Sequence, residues 1–203
     1  MIEKSKLLEH FPNIVLASAS PRRENLLRQI GLEFQICPSK VEEPEVTHAP
    51  PETTVQELAL TKARAIAAEL LSGLVIGADT VVVINQQVIG KPDNAQHATE
   101  ILTRLSGKRH EVITGVALVA IDRGREVTWA EKTVVQFRKL RQPEIREYLR
   151  SGEALDKAGA YGIQGRAAAF VERIEGCYFN VVGLPLASLV ERLWELVEHN
   201  ENK

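Results

Sequence analysis

The hydrophobic pattern at the start of the chain predicts a strand, a tight turn and a helix. The apolar run at 14–17 is short enough for a buried strand. Ser20 then occupies the expected N-cap position of a helix, and Pro21 suits the first helical position. Hydrophobic residues recur at helical spacing as far as Ile30, and Gly31 is typical of a helix end.

The next segment combines a loop with a second helix. After a predicted strand at 34–37, residues 38–53 are rich in Pro, Glu and Thr, which is typical of a loop. This loop exceeds the usual connection length and therefore hints at function. Thr54 and Glu57 match a capping box, so an Ala-rich helix is predicted from there to about Leu71.

Strands dominate the pattern from residue 74 onward. A buried strand at 74–78 leads directly into Asp79 and Thr80, and residues 81–84 continue as strand before a turn and a short return. The other predicted elements are helices beginning near 92, 143 and 185, strands at 110–121 and 127–140, and two segments, 170–174 and 178–182, that flank a turn. This order predicts an α/β fold with a partly antiparallel sheet.

Length, composition and charge fit a globular protein. The 203 residues suit one domain, or one domain of two lobes. The net charge of −2 argues against a nucleic-acid or membrane-surface binder. Cys37 and Cys177 lie far apart without metal-ligand spacing, so we expect two buried thiols in a reducing compartment. Because no apolar run approaches the ~20 residues that cross a bilayer and no secretory signal is recognisable, a cytoplasmic location is expected.

The turn at 20–23 has the chemistry of an anion site. A helix N-terminus presents unpaired backbone N–H groups and a partial positive charge. Arg22 and Arg23 add forked, permanently charged donors that suit phosphate oxygens. Arginine in the first turn opposes the helix dipole, a cost that a bound anion would offset. The alternative is a surface turn with two solvated arginines, and spacing alone does not choose between the two.

Charged residues elsewhere are further candidates. Asp79 follows a buried strand, where carboxylates of α/β folds commonly hold a cation or activate water, although a turn-capping Asp gives the same pattern. Glu42 and Glu43 lie in the long loop and are candidates for a second carboxylate or for solvated charges. Lys62 in the Ala-rich helix and Lys91 at a strand-to-helix junction are, taken singly, typical of surface lysines.

The Gly-rich segment 156–165 is a candidate for ligand contact. Its three glycines permit close backbone approach, and Gln164 offers a paired donor and acceptor for a base edge. A plain Gly-rich loop fits equally well. The histidines sit in no informative context, and the chain has neither a P-loop motif nor a dinucleotide-binding glycine motif after a strand.

Taken together and in order, these motifs closely resemble those of the Maf family of nucleotide pyrophosphatases. The resemblance extends from about residue 13 to residue 190. It rests above all on S-x-S-P-R-R at 18–23, G-A-D-T at 77–80, G-K-P at 90–92, D-K-A-G-A-Y-x-I-Q-G at 156–165 and N-V-V-G-L-P at 180–185. The first, second and fourth of these motifs rarely coincide by chance.

The resemblance implies a fold and an activity. Proteins of this family have an elongated α/β fold related to the inosine triphosphate pyrophosphatases, with a mixed sheet flanked by helices and the site in a cleft between two lobes. They hydrolyse nucleoside triphosphates to the monophosphate and pyrophosphate, a house-cleaning of the nucleotide pool, with a divalent metal cation such as Mg²⁺, Mn²⁺ or Co²⁺. We therefore expect residues 1–203 to form one such domain.

The resemblance also implies roles for individual residues. Asp79 matches the family's proposed proton acceptor, and Glu42, Lys62 and Lys91 match its other polar cleft residues. Asp79 and Glu42 are the expected metal ligands, although Glu43 has the same chemistry as its neighbour. The expected substrate-binding residues are Ser20, Arg22, Arg23, Thr80 and Gln164.

Three of these positions bear on which substrate is accepted. The combination of Arg22, Thr80 and Gln164 resembles the dTTP/UTP pyrophosphatase subgroup, which also acts on modified pyrimidine triphosphates. The alternatives are the sister subgroup that prefers 7-methylguanosine triphosphate, and a nucleotide-binding regulator of septum formation without turnover. A nucleoside triphosphate is the expected partner, a homodimer is a family-level expectation, and no nucleic acid or membrane is expected to bind.

Overall fold

The computed structural model describes residues 9–41 and 49–198 and has an α/β fold in which helices flank a mixed sheet. The strands of the described residues are β1 (Ile14–Leu16), β2 (Gln35–Ile36), β3 (Leu74–Ile84), β4 (Gln87–Ile89), β5 (Arg109–Ala120), β6 (Arg125–Phe137) and β7 (Val171–Glu175). They lie in the order β2-β1-β3-β5-β6-β7, and β4 pairs with β3 outside this path.

Six α-helices lie entirely within these described residues. They are α1 (Pro21–Gln29), α2 (Pro51–Ala67), α3 (Ala95–Leu105), α4 (Gln142–Arg150), α5 (Tyr178–Val182) and α6 (Leu186–Glu198). Short 3₁₀ helices occupy Ile121–Arg123, Ala158–Ala160 and Arg166–Phe170. None of the helices within 9–41 and 49–198 is long and apolar enough to cross a membrane.

The chain divides into two compact units. Unit 1 consists of Met1–Asp79, Thr114–Ala130 and Gly183–Lys203, and unit 2 consists of Thr80–Ile113 and Glu131–Val182. Strands β3, β5 and β6 each pass from one unit into the other along the chain. The sequence prediction of a single domain over residues 1–203 stays a prediction.

Parallel strands and a helix with small side chains form the core of unit 1. β1 pairs in parallel with both β2 and β3, so that Leu16 lies opposite Ile36 on one side and Ile76 on the other. Ala59 and Ala63 of α2 are fully buried in one hydrophobic cluster with residues of these strands. The Ala-rich sequence that predicts α2 therefore also lets this helix lie close to the sheet.

Helix α2 lies directly against two glycines of the sheet. A Cβ atom on Gly77 of β3 would stand 2.2 Å from the carbonyl oxygen of Ala59. A Cβ atom on Gly115 of β5 would stand 2.2 Å from the carbonyl oxygen of Val55. Because these neighbours are backbone atoms of a packed helix, any side chain at either glycine would push α2 away from the sheet.

Unit 2 combines a tight hairpin with an aromatic core. Asn85 and Gln86 connect β3 to antiparallel β4 with φ values of 50° and 64°, as a type I′ turn requires. β7 pairs antiparallel with β6. Rings pack edge to face in a chain with centroids between 4.8 and 6.0 Å apart, formed by His110, Phe137, Tyr148, Tyr161 and Phe170.

The predicted strands and helices are largely confirmed, and three details are wrong. α2 begins at Pro51, so the capping box does not form, and the Thr54 hydroxyl instead donates to the carbonyl of Pro50. α2 also ends at Ala67, before the 99% exposed Leu71. Residues 74–84 form one continuous strand with Asp79 inside it, because the sheet ladder is built from backbone groups and tolerates a polar side chain.

The close contact of α2 predicts that glycine is required at two positions. We expect Gly77→Ala and Gly115→Ala each to lower the free energy of unfolding by at least about 1–3 kcal/mol, the usual cost of overpacking. Gly90→Ala is the matched control, since a Cβ there meets nothing within 4 Å. Urea unfolding measures all three, and an equal effect of the three substitutions would contradict the close contact.

Because His110 is buried, we expect the free energy of unfolding to depend on pH. Burial lowers the pKa of His110 from 6.5 to about 4. Between these values the unfolded chain binds more protons than the folded chain, so stability falls as the pH drops from 6.5 to 4. We expect a loss of about 3 kcal/mol from this group at pH 4. The free energy of unfolding, measured with urea at several pH values from 7 to 4, should fall less steeply with pH in His110→Gln than in the wild type. An identical dependence on pH in the two proteins would contradict the prediction.

Candidate active site

The turn at 20–23 and Asp79 lie toward the same end of two neighbouring parallel strands of unit 1. Directly after β1, the N–H of Ala17 donates to the carbonyl oxygen of Ile76 in β3 at 2.8 Å. From this point the chain leaves β1 for the turn and α1, while β3 runs on to Asp79. The carboxyl ends of parallel strands are where α/β folds commonly bind ligands. This edge thus carries a helix N-terminus, two arginines and a carboxylate.

Asp79 forms a buried ion pair with Lys62. The Lys62 Nζ donates to Asp79 Oδ1 at 2.6 Å, and the two side chains are only 12% and 10% exposed. Lys62 belongs to the part of α2 that lies against Gly77, and Gly77 shares a strand face with Asp79 because side chains alternate. The depth at which α2 packs therefore sets this contact. The pair thus places a carboxylate and an ammonium group side by side in a partly dehydrated place, where a charge-assisted hydrogen bond holds them together.

Arg23 anchors the turn to the rest of unit 1. Its Nε donates to the carbonyl oxygen of Gly183 at 2.9 Å, and its Nη1 donates to Ser18 Oγ at 3.1 Å. The same Ser18 oxygen accepts the N–H of Ser20 at 3.3 Å. Ser20 does occupy the N-cap position, but its side chain makes no capping hydrogen bond. The phosphate roles of Arg23 and Ser20 stay predictions, whereas their structural contacts are clear.

Arg22 differs from its neighbour. Within the described residues its side chain has no hydrogen bond or ion pair, although it is half-buried. It stands on the first turn of α1, whose first backbone N–H groups lack intrahelical partners. Arg22 is therefore the arginine of this turn whose guanidinium is available to an anion at the helix N-terminus.

Unit 2 joins the segment that carries Lys91 to the Gly-rich loop. The N–H of Gly159 donates to the carbonyl oxygen of Gly90 at 3.0 Å. Gly159 has a φ of 71°, and a Cβ atom there would lie 2.8 Å from Val82 Cγ2, so glycine is required. Lys91 is exposed beside this contact. Two segments predicted from separate motifs are thus neighbours, and the loop continues to the exposed Gln164.

The remaining predicted residues belong neither to the described contacts at the sheet edge of unit 1 nor to the joined Lys91 and Gly-rich segments of unit 2. Thr80 follows Asp79 in β3, is half-buried and belongs to unit 2. Glu42 and Glu43 fall outside the described residues. The described ranges 9–41 and 49–198 contain no group of three or more His, Cys, Asp or Glu side chains that would hold a metal ion. The metal-binding roles of Asp79 and Glu42 stay predictions.

Sequence reasoning missed the groups that support these residues. Ser18 accepts hydrogen bonds from both Ser20 and Arg23, but nothing in the sequence distinguishes it from the other residues of its motif. The carbonyl of Gly183 is a backbone group that no side-chain pattern reveals. His110 is 2% exposed in β5 and donates or accepts at Nε2 toward Tyr161 Oη at 2.8 Å. A single polar residue at the start of an apolar strand was the available signal.

Comparison with known proteins accounts for the order of the motifs. The family model described as "Maf-like protein" matches residues 13–196. The chain belongs to the Maf-like family. The sequence-based recognition of the family is therefore confirmed.

Curated relatives of this Maf-like chain cover nearly its whole length. A protein of Moorella thermoacetica named dTTP/UTP pyrophosphatase is 54% identical over 180 residues, which are 89% of this chain and 93% of that protein. One of Ruminiclostridium cellulolyticum with the same name is 47% identical over 188 residues, 92% and 97% of the two chains. The solved structure of the Staphylococcus aureus Ham1 protein is 16% identical with a TM-score of 0.43, covers 62% of this chain and 71% of its own, and supports no conclusion.

Substitutions of the two arginines are expected to differ in their effect on stability. We expect Arg23→Ala to lower the free energy of unfolding by about 1–3 kcal/mol, because the partly buried Ser18 hydroxyl and Gly183 carbonyl each lose a hydrogen-bond donor. Arg22→Ala should change it by no more than about 0.5 kcal/mol, since it removes no protein contact. Urea unfolding without nucleotide measures both, and an equal loss for both variants would contradict this division.

Proposed function

We propose that this Maf-like protein is an enzyme, a nucleoside triphosphate pyrophosphatase that hydrolyses dTTP and UTP to the monophosphate and pyrophosphate. Relatives named dTTP/UTP pyrophosphatase are 45–54% identical over 89% of the chain. The structural observation that carries the proposal is the buried Lys62–Asp79 pair on the same sheet edge as the helix N-terminus with Arg22. This edge offers a carboxylate and cationic donors together, and the reaction needs both.

Hydrolysis between the α- and β-phosphates needs an activated water and a stabilised leaving group. The water oxygen bonds to the α-phosphorus, the bond to the bridging oxygen breaks, and pyrophosphate leaves with the electron pair. Asp79 is the proposed acceptor of the water proton, a role that typically contributes 10²–10⁴-fold. Lys62 holds this carboxylate in place through its 2.6 Å contact.

Cationic donors are proposed to bind the phosphates. Arg22 and the first N–H groups of α1 suit phosphate oxygens in charge and geometry. Lys91 is proposed to act on the leaving pyrophosphate, and a well-aimed donor of this kind typically supplies about 3–4 kcal/mol in the transition state. Arg23 acts on the phosphates mainly through the turn that it anchors to Gly183.

We propose that a divalent cation binds at this site. Mg²⁺ is usually held by one or two carboxylates together with substrate phosphates, and the carboxyl group of Asp79 suits this chemistry without a further protein cluster. Asp79 and Glu42 are the proposed ligands, with Mg²⁺, Mn²⁺ or Co²⁺ as the ion. When bound, the cation supplies Lewis-acid polarisation and neutralises phosphate charge.

Selection of the base is proposed to rest on Arg22, Thr80 and Gln164. An exposed amide such as that of Gln164 pairs a donor and an acceptor and suits the Watson–Crick edge of uracil or thymine. Modified pyrimidine triphosphates with the same edge are further proposed substrates, which would make the enzyme a guard of the nucleotide pool. A cytoplasmic location and a homodimer stay predictions.

A panel of nucleoside triphosphates assayed with each of the three metal ions tests the proposal. Release of pyrophosphate and monophosphate from dTTP and UTP is expected. Binding without product would favour the nucleotide-binding regulator, and a preference for 7-methylguanosine triphosphate would favour the sister subgroup.

Replacement of Asp79 is expected to cause the largest loss of activity. We expect Asp79→Asn to lower kcat on dTTP by about 10²–10⁴-fold, because the amide cannot accept the proton. Glu126→Gln is the matched control: its carboxylate accepts from Arg64 Nε of the same α2 at 2.8 Å but lies at the surface.

The two variants are compared by pyrophosphate release and by far-UV circular dichroism. Glu126→Gln should keep wild-type turnover, and both variants should keep the folded spectrum. Near wild-type release of pyrophosphate by folded Asp79→Asn would contradict the assignment.

A further inference from the structure

Gln164 depends on its backbone for its position. It stands on the turn 162–165, which is closed by a hydrogen bond from the Gly165 N–H to the Gly162 carbonyl oxygen at 3.0 Å. The Gln164 side chain is exposed, while the preceding Ile163 is 7% exposed. A long exposed amide has many rotamers. The position of the Gln164 amide relative to a ligand therefore depends on how rigid the backbone of the turn is.

Aromatic side chains hold the entry to this turn. The Gly162 N–H donates to the hydroxyl of Tyr148 at 3.3 Å. Tyr161, the residue before it, is 6% exposed and its hydroxyl lies 2.8 Å from His110 Nε2. The ring of Phe137 packs edge to face against both His110 and Tyr161, with centroids 4.9 and 4.8 Å away. The turn is thus fixed to β5, β6 and α4 within unit 2.

A carboxylate holds the exit from the turn. Glu153 Oε2 accepts the N–H of Arg166 at 3.0 Å. A Cβ atom on Gly165 would lie 2.0 Å from the same oxygen, so the backbone of the turn lies directly against this carboxylate. With both ends held, the tip that carries Gln164 has a defined place.

The polar pair His110–Tyr161 is less favourable for stability in a core than two apolar rings would be. The described residues give His110 Nδ1, which is also buried, no hydrogen-bond partner. Burying a half-satisfied imidazole costs stability that an apolar ring would avoid. The imidazole does, however, form a directional hydrogen bond. This bond fixes the orientation of the Tyr161 ring at one end of the turn, which packing alone would not do.

We propose that His110 and Tyr161 are positioning residues that set the base selectivity of the enzyme by holding the turn that carries Gln164. Neither side chain reaches the substrate, and they act through the backbone at 161–165. The inference rests on the proposed function, since it assigns how that same site selects its base.

The test compares the hydroxyl deletion Tyr161→Phe with His110→Phe and His110→Gln. A glutamine amide places a polar atom close to the position of Nε2, so it retains a partner for the Tyr161 hydroxyl. Val83→Ala is the matched control for stability, because Val83 is buried on the face of β3 opposite to Val82, the residue that contacts Gly159. Thermal unfolding ranks the four variants by stability.

The activity readout is the ratio of kcat/KM for dTTP to kcat/KM for dCTP. A misplacement of about 1 Å at a binding group costs up to about 10²-fold, so we expect both Phe variants to lower this ratio roughly 10-fold, mainly through KM for dTTP. His110→Gln should restore most of it, and Val83→Ala should leave it unchanged. Phe variants that only lose stability, with the wild-type ratio, would overturn the proposal.

Hydrogen exchange without nucleotide separates this inference from the proposed function. Faster exchange at the Gly162 and Gly165 amides is expected in Tyr161→Phe and not in Val83→Ala. If the wild type hydrolyses neither dTTP nor UTP, the proposed function fails while this measurement still decides whether the pair holds the turn. Unchanged exchange in Tyr161→Phe would overturn that role.

Discussion

Helix α2 meets β3 and β5 at two places where the sheet has no side chain, and the backbone of the helix occupies the space. This contact requires glycine at 77 and 115, and small residues on the helix face. Once the helix lies at this depth, Lys62 reaches Asp79 and the charge of the carboxylate is balanced in a buried place. The chemistry proposed for unit 1 is therefore a consequence of backbone packing, since a shallower helix would separate the pair.

The two units contribute different kinds of chemistry to the proposed reaction. Unit 1 carries formal charge close to its sheet edge: a helix N-terminus, Arg22 and the Lys62–Asp79 pair. Unit 2 carries Lys91, which is proposed to act on the leaving pyrophosphate, and also the neutral amide of Gln164 on a loop whose ends are fixed by hydrogen bonds to Tyr148 and Glu153. Charge suits the phosphates, which all nucleotides share, whereas neutral donors and acceptors suit the base, by which nucleotides differ.

Much of this arrangement was predictable from the sequence because its signals are local. Periodicity and turn residues located most strands and helices, and ordered motifs identified the family. Asp79 was expected at a strand end, but the strand continues past it, since apolar residues on both sides extend the ladder. The partners of Arg23 were beyond prediction: a carbonyl at Gly183, 160 positions away along the chain, leaves no trace in side-chain patterns. The sequence indicates no role for His110, because a single polar residue in a strand carries no local signal and only the fold brings Tyr161 next to it.

The adjacent arginines of the turn show how the molecule keeps folding and recognition apart. Arg23 is committed to Ser18 and Gly183, so a change there disturbs the shape of the turn itself. Arg22 has no such commitment within the described residues, and its replacement leaves the frame intact. A substitution at Arg22 can therefore alter how a ligand is bound without altering the fold of the turn, whereas a substitution at Arg23 changes both together.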